Sequence, residues 1–321
     1  MSFLKKIVFA VIASCMLLML ASCENQSSEE KNEKIKIVAS AFPHYDLVKQ
    51  IVGDKADIVM LLPAGGEVHT FDPSVKDIMN VAHCDVFVYN GGVSDLWVEN
   101  VISSSENEHM IKFSFMENCM LIKEGIVEGM QHEHSEQKEH GHEEALYDEH
   151  VWTSPVKLSQ IAQAFTKELC SADPDNSAFY SQNGQEYIEK LLELDARFKE
   201  VRKNAVRSTI VFGDRFPFAY FAEEYDLDYY AAFPGCASNT EASAATLAFI
   251  TDKVKEQNIP VVFTIEFSDE KIADAVCSAS GAKKLTLHSC HNVTKEQLDK
   301  GVTYLSLMEK NLEFLEEAIC S

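Results

Sequence analysis

Asn176-Ser-Ala-Phe-Tyr-Ser-Gln-Asn-Gly-Gln-Glu-Tyr-Ile-Glu-Lys-Leu-Leu-Glu-Leu-Asp-Ala-Arg-Phe-Lys-Glu-Val-Arg-Lys-Asn204 decides how the rest of this 321-residue chain is read. Tyr187, Ile188, Leu191, Leu192, Leu194 and Phe198 recur at helical spacing within it. Asp173-Pro174 breaks what comes before, and Asn176 or Ser177 can cap the start. The stretch predicts one helix of roughly 40 Å at about 1.5 Å per residue. That is unusually long for a globular protein, and a rigid brace between two lobes explains it. On the N-terminal side, apolar strand-like runs at 35–40, 57–62, 85–90 and 111–115 alternate with helical patterns at 44–52, 74–82 and 94–102. Pro155 then opens a helix to about Ser171, at the first-turn position where proline is tolerated. Beyond the long helix the alternation repeats, with strands at 208–213, 229–233, 261–267 and 284–288 and helices at 216–225, 240–257, 269–280 and 303–319. Apolar strands separated by helices imply parallel sheets covered on both faces. The expected fold is therefore α/β: two lobes, each a parallel sheet flanked by helices, joined by one long backbone helix. The boundaries fall at 35–175 for the N-terminal lobe, 176–204 for the linking helix and 205–321 for the C-terminal lobe.

Composition narrows the function. An apolar fraction of 46% with 10% aromatic residues excludes a disordered chain. The formal net charge of −23 speaks against nucleic acid or an anionic membrane surface as partner, and favours cations. At the N-terminus, Lys5 and Lys6 precede an apolar run from Ile7 to Leu20, and Leu20-Ala21-Ser22-Cys23 follows. This is the layout of a secretory signal, 1–22, whose ending looks like a bacterial lipobox with Cys23 as the lipidated residue. The run is shorter than a spanning helix usually needs. A polar tether, 23–34, leads into the folded part. The expected location is the outer face of a bacterial cytoplasmic membrane, on a lipid anchor. Seven cysteines follow Cys23, an odd number, and no Cys-x-x-Cys pair occurs among them.

The second informative stretch is Gln131-His-Glu-His-Ser-Glu-Gln-Lys-Glu-His-Gly-His-Glu-Glu144. His132, His134, His140 and His142 form two His-x-His pairs among carboxylates, in a segment with no apolar face to bury. Imidazoles and carboxylates are the ligand set of zinc and similar borderline ions. A solvated acidic loop with incidental histidines is the plainer reading, and a collecting loop beside a built metal site is the sharper one. His150 stands apart, since Val151, Trp152 and a helix start at Ser154-Pro155 hold it in ordered structure. In open parallel sheets ligands bind beyond the carboxyl ends of the strands. Those ends carry His69, in a glycine turn before a helix capped near Asp72 or Ser74, and His44 after Pro43. In the second half they carry Gly213-Asp214-Arg215, Glu266, and His288-Ser289-Cys290-His291-Asn292. One histidine at a strand end is usually a hydrogen-bonding residue. His69, His150 and His288, drawn from both halves, could supply three nitrogens, with a carboxylate completing a tetrahedral zinc site.

At these residues the chain resembles the metal-binding lipoproteins of zinc and manganese ABC importers, the cluster A-I solute-binding proteins. Pro63-Ala-Gly-Gly-Glu-Val-His-Thr-Phe-Asp-Pro73 is similar to the family's first-histidine motif, and Asp148-Glu-His-Val-Trp-Thr-Ser-Pro155 to its second. The resemblance covers residues 35–321 and implies His69 and His150 as ligands from the first lobe. The second lobe departs from the common pattern, because Phe212-Gly-Asp-Arg-Phe-Pro-Phe-Ala-Tyr-Phe221 lacks the expected histidine. The resemblance supports His288 as third ligand and leaves the fourth open among Asp214, His291, Glu67 and water. Asp214 could equally pair with Arg215 or support a ligand. Cys236 and Cys290 also lie beyond strand ends, and in an oxidising compartment a disulfide clamping two site loops is expected.

The resulting expectation is a monomeric protein without enzymatic turnover that captures Zn²⁺ and delivers it to an ABC permease and its ATPase. Mn²⁺ is the alternative cargo, although a His-rich set suits zinc better. An exported zinc hydrolase is the rival from another class, with Glu67 as conceivable base, but no His-Glu-x-x-His is present. An adhesin role is compatible with the anchor.

Overall fold

The computed structural model describes residues 34–67, 70–105, 107–130, 147–237 and 242–321. The signal segment, Cys23, almost all of the tether, His69, and the loop histidines His132, His134, His140 and His142 lie outside the described residues. Residues 35–321 form one compact unit.

Its first half runs β1 (Ile35–Ala39), α1 (Phe42–Val52), β2 (Ala56–Met60), α2 (Val75–Ala82), β3 (Val86–Tyr89), α3 (Leu96–Ser104), β4 (Ile111–Ser114) and α4 (Pro155–Ala172). After α5 (Ser177–Asn204) come β5 (Thr209–Phe216), α6 (Ala219–Glu224), β6 (Asp228–Pro234), α7 (Ala244–Glu256) and β7 (Val261–Thr264). Then follow α8 (Lys271–Ser280), β8 (Lys283–Thr286), α9 (Lys295–Asp299) and α10 (Tyr304–Cys320). Two four-stranded sheets result, in the orders β2-β1-β3-β4 and β6-β5-β7-β8, with every pairing parallel. The two-lobe α/β expectation holds.

Helix α5 is the spine. Its 28 residues reach about 42 Å at 1.5 Å per residue, and it packs against α1 and α4 of the first half and α10 of the second. The apolar residues read from the sequence, Tyr187, Leu191, Leu194 and Phe198, are buried along it. They enter a core that continues from Ile37 and Phe115 in the first half to Phe212, Phe263 and Leu287 in the second. Each sheet has a further core on its other face, built on Val38 and Phe87 in one and on Val211 and Val262 in the other. At roughly 1.5–3 kcal/mol per fully buried large apolar side chain, the shared core resists separation of the sheets.

Buried polar bonds add direction to this packing. Tyr304 donates its backbone N–H to Asp46 (3.0 Å) and its hydroxyl to the Trp152 carbonyl (2.8 Å), fixing the start of α10 against the first half. Tyr220 on α6 donates to the Asp148 carbonyl (2.9 Å). Asn292 donates to the carbonyls of Pro63 and Gly66 (2.8 and 2.9 Å), stitching the glycine turn after β2 to the loop after β8.

The second sheet differs from expectation in one useful respect. Strand β5 does not stop at Gly213 but continues through Asp214 and Arg215 to Phe216, and its register with β6 shifts between Phe212 and Arg215. A bulge of this kind re-aims side chains next to sites. Gly213 is required there, since a Cβ would lie 2.6 Å from the Ala273 Cα of α8. Strand β7 is shorter than expected, ending at Thr264, so Glu266 lies in the turn that follows.

Candidate metal centre between the two sheets

His150 is fully buried just before α4, and two neighbours hold it. Asp148 accepts the His150 backbone N–H (2.8 Å) and lies 3.0 Å from Nδ1 through the same oxygen. Asp148 is itself buried. A carboxylate on Nδ1 favours the tautomer with the proton there, which makes Nε2 the lone-pair nitrogen. The segment is tied down by Glu149, whose carboxylate accepts the backbone N–H groups of Val93 and Ser94 in the loop after β3. The positive φ of Gly92 and its closeness to Glu149, with a Cβ only 2.6 Å from Oε1, leave room for no other residue.

The ring that meets His150 comes from the second half. His291 lies edge to face with it, centroids 4.6 Å apart, and with Trp152 at 5.0 Å. Trp152 in turn donates its indole N–H to the Ser289 carbonyl (2.8 Å). Glu266 organises the loop that carries His291: its carboxylate accepts the backbone N–H groups of Ser289 (2.7 Å) and His291 (3.1 Å) and the Ser289 hydroxyl (2.6 Å). With its hydrogen committed to Glu266, the Ser289 oxygen accepts from His291 Nδ1 at 2.9 Å. This again makes Nε2 the lone-pair nitrogen. Two carboxylates, Asp148 directly and Glu266 through Ser289, thus set two imidazoles from opposite halves in the same electronic state. Neutral imidazole nitrogens so oriented are ligands for a borderline divalent ion.

The other predicted residues fall as follows. His69 lies outside the described residues. His288 accepts the Cys290 backbone N–H at Nδ1 (3.0 Å), with Glu266 3.6 Å away, and its own N–H and carbonyl are both held by Asn311. Nδ1 of its ring is thus engaged within the loop, and the ring that meets His150 is that of His291. Asp214 is buried, with one oxygen on the Arg215 N–H (2.8 Å) and the other on the Ile265 N–H (3.3 Å), so it fastens the β5 bulge to the end of β7. Burial raises its pKa above the ordinary carboxylate value. Glu67 meets the Arg215 guanidinium at 3.3 Å, a bond between the two lobes. Among the described residues, no three His, Cys, Asp or Glu side chains converge closely enough to form a metal-holding group.

The expected Cys236–Cys290 disulfide is corrected. All seven cysteines after Cys23 are free thiols, and Cys290 is completely buried. Burial pushes the thiols of both Cys236 and Cys290 well up, and the carboxylates of Glu149, Glu124 and Asp148 add to this at Cys236. His44, in the first turn of α1, is a core residue: Nδ1 accepts the Ala41 N–H (3.2 Å) and lies 3.0 Å from the Ser40 hydroxyl. Its ring packs on Phe115 and Trp152, and burial lowers its pKa to about 3. Sequence reasoning passed over Asp148, Ser289 and Trp152. The spacings Asp148-x-His150 and Ser289-x-His291 were the available signals.

Known proteins resemble this chain over nearly all of its folded part. The family described as "Zinc-uptake complex component A periplasmic" matches residues 37–318. The high-affinity zinc uptake system protein ZnuA of Bacillus subtilis is 34% identical over 313 residues, covering 96% of each chain. The zinc-binding lipoprotein AdcA of Streptococcus pneumoniae is 31% identical over 312 residues, and there this chain spans only 61% of the relative's length. The crystal structure of the Zn(II)-bound ZnuA-like domain of that streptococcal protein superimposes with a TM-score of 0.74 at 28% identity, over 90% of this chain and all of that one.

Proposed function

Because the chain belongs to the family of periplasmic zinc-uptake components, we propose that it captures Zn²⁺ between its two lobes and delivers it to an ABC permease powered by an ATPase, without chemical turnover. The observation that carries this reading is the meeting of His150 and His291 from opposite halves, each with a carboxylate-linked support at Nδ1. We assign His150 Nε2 and His291 Nε2 as ligands, with His69 as the third on the strength of its motif. Water or Glu67 takes the fourth position. Three nitrogens with at most one oxygen suit zinc better than manganese, which prefers more oxygen. The lobe boundaries 35–175, 176–204 and 205–321 are the organisation this function needs. Cys23 would carry the lipid that keeps the protein, as a monomer, beside its permease on the outer membrane face. Among the described residues no helix is long and apolar enough to cross a membrane. The loop histidines His132, His134, His140 and His142 would gather metal ahead of the tight site.

Calorimetry on residues 24–321 tests the proposal. One tight zinc site per chain, with manganese bound more weakly and no hydrolysis of ester or peptide substrates, is the expected result. Several weak sites and no tight one would refute it.

A further inference from the structure

The ion pair between Glu67 and Arg215 lies at a boundary. Two cavities open between the lobes. An inner one of about 20 Å³, room for a water or a bare ion, is lined by His291, Ser289 and Gly235. An outer cleft of about 210 Å³ is lined by Thr70, Asp214 and Phe267. Glu67, Arg215 and Phe267 line both. Gly235 abuts His150 on the inner side, its Cβ position lying 2.8 Å from the ring Cε1. The two charged side chains therefore form, with Phe267, the wall shared by the cleft and the imidazole-bearing cavity.

The two partners differ in how firmly they are held. The Arg215 side chain is 13% exposed, fixed on the β5 bulge whose backbone Asp214 binds. Its Nε is buried with no hydrogen-bond partner among the described residues. Glu67 is 42% exposed, on the glycine turn that leads to His69. A fixed cation beside the path of a cationic solute opposes its entry, and a carboxylate that neutralises that cation removes the opposition.

We infer that the Glu67–Arg215 ion pair is an electrostatic gate on the inner cavity, which a divalent cation passes by drawing the Glu67 carboxylate away from Arg215. The gate rests on the zinc-capture reading and adds to it the residues that set the rate of entry. Arg215 acts by position and charge and is not a ligand.

Stopped-flow mixing of the metal-free 24–321 chain with zinc chloride tests the gate. Tryptophan fluorescence gives the readout, since Trp152 contacts the His291 ring. Both Arg215→Gln and Glu67→Gln break the ion pair, yet they leave opposite charges behind. The association rate constant should rise about tenfold in Arg215→Gln and fall about tenfold in Glu67→Gln, with Arg215→Lys within about twofold of the parent. The two shifts should shrink together as salt is raised. A merely structural clasp would move both glutamine variants in the same direction, and that result overturns the gate. So does a tight site whose rates ignore both substitutions, while the zinc-capture reading survives. A parent protein with no tight zinc site overturns both.

Discussion

His150 and His291 are 141 residues apart in the chain, yet their rings meet at 4.6 Å in an edge-to-face contact between the two sheets. Neither half of the protein holds both. The pair exists only while α5, α10 and the shared core keep the lobes in register.

This juxtaposition ranks the second-lobe histidines. Calorimetry on His291→Ala should show zinc affinity reduced by orders of magnitude. His288→Ala, whose ring accepts a backbone N–H within its own loop, should lose much less. A parent-like His291→Ala would return the assignment to His288.

The supports of the two rings should matter nearly as much as the rings. Asp148→Asn keeps the shape but no longer favours a proton on His150 Nδ1, and Ser289→Ala cuts the link from Glu266 to His291. Each should weaken zinc binding by about 10–100-fold, the usual cost of losing such a partner. Circular dichroism and melting temperature would check that the fold is kept. Unchanged affinity in both variants would show that the rings need no such orientation.

How much of this was legible beforehand follows from what each signal depends on. The strand and helix alternation and the long helix were readable because burial imposes local periodicity, and Leu191, Leu194 and Phe198 carry it plainly. That His150 is held in ordered structure was readable because its neighbours are sequential. In the second lobe the deciding facts are not local. Whether His288 or His291 faces the cleft depends on a turn in which Cys290 adopts a left-handed backbone (φ 62°), closed by a carboxylate 24 residues earlier, Glu266. The extension of β5 through Asp214 depends on a bulge that no periodicity announces. The disulfide was inferred from compartment and proximity to strand ends, neither of which fixes sulfur–sulfur geometry.

The thiols give a further test. Intact-mass measurement after alkylation should give the same result with and without reductant, because Cys236 and Cys290 are not bonded. Under native conditions the completely buried Cys290 should label far more slowly than the half-buried Cys320. A protein that takes up two fewer alkyl groups without reductant than with it, the two sites mapped to Cys236 and Cys290, would restore the disulfide.

Acid stability separates His44 from the carboxylates around it. Burial lowers its pKa from 6.5 to about 3, so between those values the unfolded chain binds the proton and the folded chain does not. Stability contributed by neutral His44 is therefore complete above pH 6.5 and is lost as pH falls towards 3. Asp46 and Asp95 work in the opposite sense: burial raises each from 3.8 to about 6, so the folded state holds the proton in that range and acid favours it. The three effects overlap between about pH 4 and 6 and partly cancel. Replacing His44 with Asn removes one side of the balance. The metal-free variant should be less stable than the parent at pH 7, through loss of packing on Phe115 and Trp152. The deficit should narrow on going to pH 4.5, where the parent bears the cost of keeping His44 neutral. Melting curves of both proteins across that range give the difference directly, and a deficit independent of pH would mean that His44 takes up its proton as readily in the folded protein as in the unfolded one.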